Sequence, residues 1–177
     1  MAARLAGDAG VTLIETMIAM LVLMVAAIGL AGAFLYGMDA TASAPNELIA
    51  TQKAAEAVES VFSARDSLTV DWDDLQNASD GGIFLDGAQD MHVAGADAIL
   101  NTQDDLTEAI ESYALPGPDG DLETSDDNEV VELTGFTREI SIAEITDVLR
   151  EVTVVITYQA GSTTRTYTLV AWISAFA

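Results

Sequence analysis

The sequence predicts an α+β chain: a long amino-terminal helix, then a small antiparallel sheet, with an acidic insert between them. Three observations lead to that expectation. Met17 to Leu35 is a run of 19 uncharged residues near the amino end. The carboxy-terminal third alternates and is rich in β-branched residues. The block between them, Asp66 to Glu132, holds 19 Asp or Glu and no Lys or Arg. The whole chain of 177 residues suffices for one anchor helix and one modest domain.

The apolar run sets the first element. At 1.5 Å per residue it would span roughly 28 Å, about the thickness of a bilayer's hydrocarbon core. A cleaved secretory signal has a shorter apolar stretch, about 7–15 residues, behind a basic start. Ala31-Gly32-Ala33 would serve as its cleavage site, so an ordinary signal peptide stands as a second reading. Glu15 lies just ahead of the run. A charge in a membrane-length segment is expensive and is usually retained for a function. The bland reading of Glu15 is a side chain that snorkels to the interface.

The helix should continue beyond the run. Pro45 lacks an amide proton and clashes with the preceding turn, which predicts a kink or a short break. From Asn46 the pattern resumes: Leu48, Thr51, Ala55, Val58 and Phe62 fall at steps of three and four, with Val61 flanking them. Glu47, Lys53, Glu56, Glu59 and Arg65 fall mainly elsewhere. The apolar stripe should pack on the sheet.

The acidic block repels itself, and its simplest form is a solvated loop region. Trp72, Ile83, Phe84, Leu85, Ile99, Leu100, Ile110 and Tyr113 argue for partial burial. Within the block Gly95–Asp105 aligns with Gly117–Asp127 at an offset of 22 residues. The shared frame is Gly-x-Asp-x-x-Leu-x-Thr-x-Asp-Asp. It resembles a short acidic repeat of exported bacterial proteins that is associated with calcium. Calcium takes six to eight oxygens at about 2.3–2.6 Å in a tight turn. Asp119, Asp121, Asp126 and Asp127 would supply carboxylates around Gly120. Asp97, Asn101, Asp104 and Asp105 would do so in the first copy, where Ala98 replaces Gly120 and Asn101 is out of step with Asp121. Neither copy has the ligand ladder of an EF-hand. A solvated acidic turn and a calcium site both remain open. The chain has no cysteine, so an ion here would take the place of a disulfide in holding the insert.

The last third reads as strands. Glu129–Leu133 and Phe136–Ile142 alternate, while Leu149–Tyr158 and Thr163–Ile173 are long and β-branched. Gln159-Ala160-Gly161-Ser162 is turn chemistry and predicts an antiparallel hairpin. Arg138, Arg150 and Arg165 are the only basic residues after Arg65. The simplest expectation puts them on exposed strand faces; pairing with acidic neighbours or the acidic block is the other.

Composition excludes some functions. A net charge of −23 argues against direct contact with nucleic acid, whose phosphates need Lys and Arg. There is no cysteine nucleophile and no glycine-rich phosphate loop, His92 stands alone, and the hydroxyl residues lack a base. No enzyme is expected.

Gly10, Val11 and Thr12-Leu13-Ile14-Glu15, followed by about twenty apolar residues, resemble the processing signal of type IV prepilins and pseudopilins. Val11 stands where that family usually has Phe. The run Lys53–Phe62, and the order of helix, insert and strands, are similar to V-type minor pilins and I-type pseudopilins. Those usually carry Trp where this chain has Tyr158. The resemblance implies the pilin fold, divided into a leader (1–10), a transmembrane and filament-core helix (11–36), its amphipathic second half (37–65), the acidic insert (66–128) and the sheet (129–177). It implies that a prepilin peptidase cuts between Gly10 and Val11 and that the new Val11 amine is methylated. Glu15 would then neutralise the Val11 amine of a neighbouring subunit and set register, because an unpaired buried charge is costly. Implied partners are other pilin subunits, the peptidase and an inner-membrane assembly platform. The implied location is the inner membrane, single-pass, with the carboxy-terminal domain in the periplasm or outside. A type II secretion pseudopilin is one alternative; a membrane-tethered, exported calcium-binding protein that does not assemble is another.

Overall fold

The computed structural model describes residues 12–114, 130–161 and 163–176. The fold is α+β, as expected: a long amino-terminal helix and a four-stranded antiparallel sheet. Helix α1 runs Leu13–Asp66. Thr12 caps it, its Oγ1 accepting the Glu15 N–H at 3.3 Å. Glu15 in the first turn and Arg65 in the last both suit the helix dipole. The helix is continuous through Pro45, which corrects the break expected there. A proline removes one hydrogen bond from a ladder, and the long helical runs on either side sustain the helix.

The chain forms two compact units, Met1–Ala42 and Ser43–Ala177. In the first, Leu13–Met38 is 26 residues long with mean hydropathy 2.6, long and apolar enough to cross a membrane. Its described side chains are exposed all round.

In the second unit, the buried face of α1 is Ala50, Ala54, Ala57, Val61 and Ala64. This corrects the expected stripe. Leu48 is exposed, and Val58 and Phe62 are only half-buried. Alanines let the helix approach the sheet closely, so the small residues win the central position and the larger ones pack along its flank.

The sheet contains β1 (Gln89–Asp90), β4 (Thr137–Thr146), β5 (Leu149–Ala160) and β6 (Thr163–Ser174), in the order β1-β4-β5-β6. A separate pair joins β2 (Ser112–Ala114) to β3 (Val130–Glu132). The hairpin β5–β6 keeps one register from Leu149↔Ser174 to Ala160↔Thr163. Its turn holds Gly161 at φ +63°. Ile140, Ile142, Val152, Val154, Ile156, Tyr158 and Ile173 are buried in one core cluster with the alanine face. Phe136 stacks on Tyr158 with ring centroids 5.7 Å apart.

The described part of the acidic insert is ordered by burial rather than solvated throughout. Leu75, Phe84, Met91, Ile99 and Leu100 all enter the core. Two polar side chains fasten it to the sheet. The Asn77 amide acts as an extra peptide unit on the edge of β4: Nδ2 donates to Ile140 O and Oδ1 accepts the Ile142 N–H, both at 2.7 Å. Arg150, 3% exposed, donates Nη1 to Leu75 O at 2.9 Å and to Trp72 O. Its guanidinium also lies 4.4 Å from the Trp72 ring centre.

Asn77→Ala should leave the N–H and C=O of two core-strand residues without partners. Each such orphan costs about 1–3 kcal/mol. We expect a lower urea midpoint for the full chain in detergent, with the helix content unchanged by circular dichroism.

Candidate functional site

The first copy of the acidic repeat folds into a closed turn. Asp97, Asp104 and Asp105 bring carboxylate oxygens within 4.8 Å of one another. Asp105 is buried and holds the loop together: Oδ1 accepts the Gly95 N–H at 2.7 Å, and Oδ2 accepts those of Asn101 and Thr102 at 2.6 and 3.1 Å. Asp97 Oδ1 accepts the Ile99 N–H at 2.8 Å. The Thr102 hydroxyl sits between the other two carboxylates, 2.7 Å from Asp104 Oδ1 and 3.3 Å from Asp97 Oδ2. Asn101 contributes its backbone to this turn, while its side chain reaches away and donates Nδ2 to Leu85 O at 3.3 Å. Of the four residues named in this copy, three therefore converge.

The repeat's frame has a steric reason. A Cβ on Gly95 would meet the Asp104 carboxylate, so a larger residue there would push that side chain out of the turn. Ala98 adopts φ +59°, a left-handed conformation that costs an alanine roughly 1 kcal/mol and a glycine almost nothing. The second copy carries Gly120 at the equivalent position. That copy's Asp119, Asp121, Asp126 and Asp127 lie outside the described residues.

The two adjacent carboxylates titrate in opposite directions. The Thr102 hydrogen bond holds the Asp104 carboxyl below its ordinary value. Burial pushes the Asp105 carboxyl up despite the amides that favour its ionised form. Asp104 thus adds stability above its ordinary pKa and loses it as pH falls through the lowered one. Asp105 is stabilising below its ordinary pKa, a contribution lost as pH rises through the raised value. The donor set is all hard oxygen, which fits a calcium ion better than a softer metal.

A second polar centre pairs Arg138 with the acidic block, the alternative to an exposed strand face; it is built on Glu111 and Lys53, neither of which the sequence singled out. Glu111 of the insert accepts Arg138 Nη1 on Oε1 at 2.8 Å, and Lys53 Nζ lies 2.8 Å from Oε2. Arg138 is 1% exposed and also donates Nη2 to His92 O at 3.2 Å. Lys53 is 2.7 Å from Glu56 as well. Burial lowers the Lys53 pKa; the hydrogen bonds to Glu111 and Glu56 outweigh it and hold the ammonium above its ordinary value. The expectation of arginines on exposed strand faces therefore fails for Arg138 and Arg150, both buried. A signal was present. In the strand alternation Arg138 shares a face with Phe136, Ile140 and Ile142, and Arg150 shares one with Val152, Val154 and Ile156.

At the amino end, Glu15 occupies the third helical position of the Thr12 cap, the place of the carboxylate in a capping box. The cap bond reaches its backbone N–H, and its side chain is exposed. Gly10 and Val11 lie outside the described residues.

Comparisons with protein-family models, curated proteins and solved structures find no match to this chain.

Glu111→Ala would strand Arg138 in the core without its counter-charge. Losing one partner of a buried pair costs about 3–5 kcal/mol. The double change Glu111→Ala with Arg138→Met should recover much of that loss in a denaturation series.

Proposed function

We propose that this chain is a structural subunit of the type IV pilin and pseudopilin class, a minor pilin in preference to a secretion pseudopilin. The observation that carries the reading is the Gly10–Glu15 motif placed directly at the head of a 26-residue apolar helical segment. Support also comes from the α+β arrangement, in which the same helix supplies the alanine face of the sheet domain. In this reading the apolar segment anchors the subunit in the inner membrane and then enters the filament core. The prepilin peptidase removes the leader, and Val11 is methylated. In the filament, Glu15 pairs with the Val11 amine of a neighbouring subunit. The role is structural, without catalysis, and its partners are other subunits and the inner-membrane platform rather than nucleic acid.

The carboxylates of the Asp97–Asp105 turn add a calcium proposal. Asp97 and Asp104 would hold the ion at the loop surface, while Asp105 keeps its backbone amides and shapes the turn. A bound ion would neutralise charge in a chain of net −23 and join the ends of the turn.

The mature protein should begin at methylated Val11 by intact mass and amino-terminal sequencing; a start near Phe34 would mean an ordinary signal peptide. Glu15→Ala should abolish recovery of the subunit in sheared filaments while leaving it in the membrane fraction. Recovery at the normal level would leave only the tether.

Calcium at a hundred times its dissociation constant should stabilise the sheet domain by about 2.7 kcal/mol. The melting temperature of the full chain in detergent should therefore fall on adding chelator, and Asp104→Asn should remove the difference. Identical melting curves with and without calcium would rule the ion out.

A further inference from the structure

The two edges of the four-stranded sheet are treated differently. On the β4 side, Thr137 and Arg138 pair with β1, and the Asn77 amide takes up Ile140 O and Ile142 N. Those bonds fix which backbone groups point outward. In an antiparallel ladder a residue's N–H and C=O share one side, and the side alternates along the strand. The even-numbered residues of β4 from Arg138 to Ile142 face outward. Glu139 and Ser141 therefore bond Val155 and Thr153 of β5. Val154 and Ile156 of β5 then bond Leu169 and Tyr167 of β6. The N–H and C=O groups of Thr164, Thr166, Thr168, Val170 and Trp172 are left facing the open edge, without a partner among the described residues.

Nothing on β6 blunts that edge. The strand has twelve residues in one unbroken register, no proline, and a single charge, Arg165. Exposed edges of this kind accept another strand unless charge, bulge or proline prevents it. Beside β6 runs an apolar groove of about 410 Å³, lined by Ala55, Val58, Glu59 and Phe62 of α1 and Leu169 of β6. An added strand would turn alternate side chains into this groove. The other set would lie on the outer face beside Val170 and Trp172, which are 42% and 63% exposed.

Charge selects the occupant. Lys53, Arg65 and Arg138 are taken by carboxylates of the chain and Arg150 by backbone carbonyls, while Arg165, the one charge on β6, stands at the hairpin end of the strand, away from Trp172 and Glu151. Glu59 flanks the groove, and Glu151 lies on the outer face, 3.1 Å from Trp172 Nε1. A second copy, at net −23, would be repelled. We propose that β6 accepts an extended strand of a basic partner protein by antiparallel addition. Apolar residues of that strand enter the groove, and Lys or Arg residues lie over Trp172 and toward Glu151.

The probe is a fluorescent octapeptide of alternating Lys and Val, titrated onto the full chain in detergent at about 0.15 M salt, where long-range attraction is screened. Residues that bond β6 must share a face with the outward β6 residues, so the Lys amides make the ladder and the Val amides point away. N-methylation of the Lys amides should weaken binding by more than about tenfold, because several ladder hydrogen bonds are lost. N-methylation of the Val amides, with the same charge and bulk, should not. Leu169→Lys, shown folded by circular dichroism, should weaken the unmodified peptide to the same degree. Equal binding of the two methylated peptides, or no saturable binding, would overturn the proposal. Self-association of the chain that Leu169→Lys abolishes would also overturn it, by placing a second copy on the edge.

Discussion

The sheet domain depends on the Glu111 carboxylate and the two cations that meet it. Glu111 belongs to the acidic insert, Arg138 to β4 and Lys53 to α1. One side chain therefore ties three parts of the domain together. Arg138 is almost wholly removed from water. A guanidinium in that position is tolerated only where a carboxylate and carbonyls replace its hydration. The chain has only six basic residues against 29 acidic ones. Their placement thus decides which acidic segments approach the core and which stay in solvent.

The rest of the insert folds by turning its acidity toward backbone amides. Asp105 accepts three N–H groups, Asp97 accepts one, and Asp86 accepts both the N–H and the hydroxyl of Ser79. These bonds each give a carboxylate oxygen a donor from the chain in place of water. They also let segments with little regular secondary structure meet the backbone accounting that burial imposes. Asn77 and Arg150 do the corresponding work on the sheet side, each replacing a missing strand or loop contact with side-chain donors and acceptors. The turn around Asp97 and Asp104 is where this scheme leaves carboxylates near the surface and close together.

The apolar segment Leu13–Met38 follows different rules. It has no core of its own; helix geometry satisfies its backbone and a polar cap at Thr12 starts it. An exposed apolar surface of that size marks a site of interaction with lipid or with other apolar surfaces. The edge of β6 poses a smaller version of the same question in polar form, since its backbone groups have no partner among the described residues and its neighbouring groove is apolar.

Sequence alone determined the elements. Uninterrupted apolarity, period-two alternation and the Gly161 turn are local properties, and they located the long helix, the strands of the last third and the β5–β6 hairpin, but not β1 and β2, which lie inside the acidic insert. The repeat was also legible, because its glycine and aspartate positions answer steric and hydrogen-bonding needs within eleven residues. Tertiary structure decided the rest. Which helix face is buried turned on how closely α1 could approach the sheet, so the line from Ala50 to Ala64 displaced the bulkier Leu48–Phe62 stripe. The fate of Arg138 and Arg150 turned on partners far away in sequence, Glu111 and the carbonyl of Leu75. Periodicity can put a charge on an inward face. Only a folded chain can supply the oxygen that makes its burial affordable.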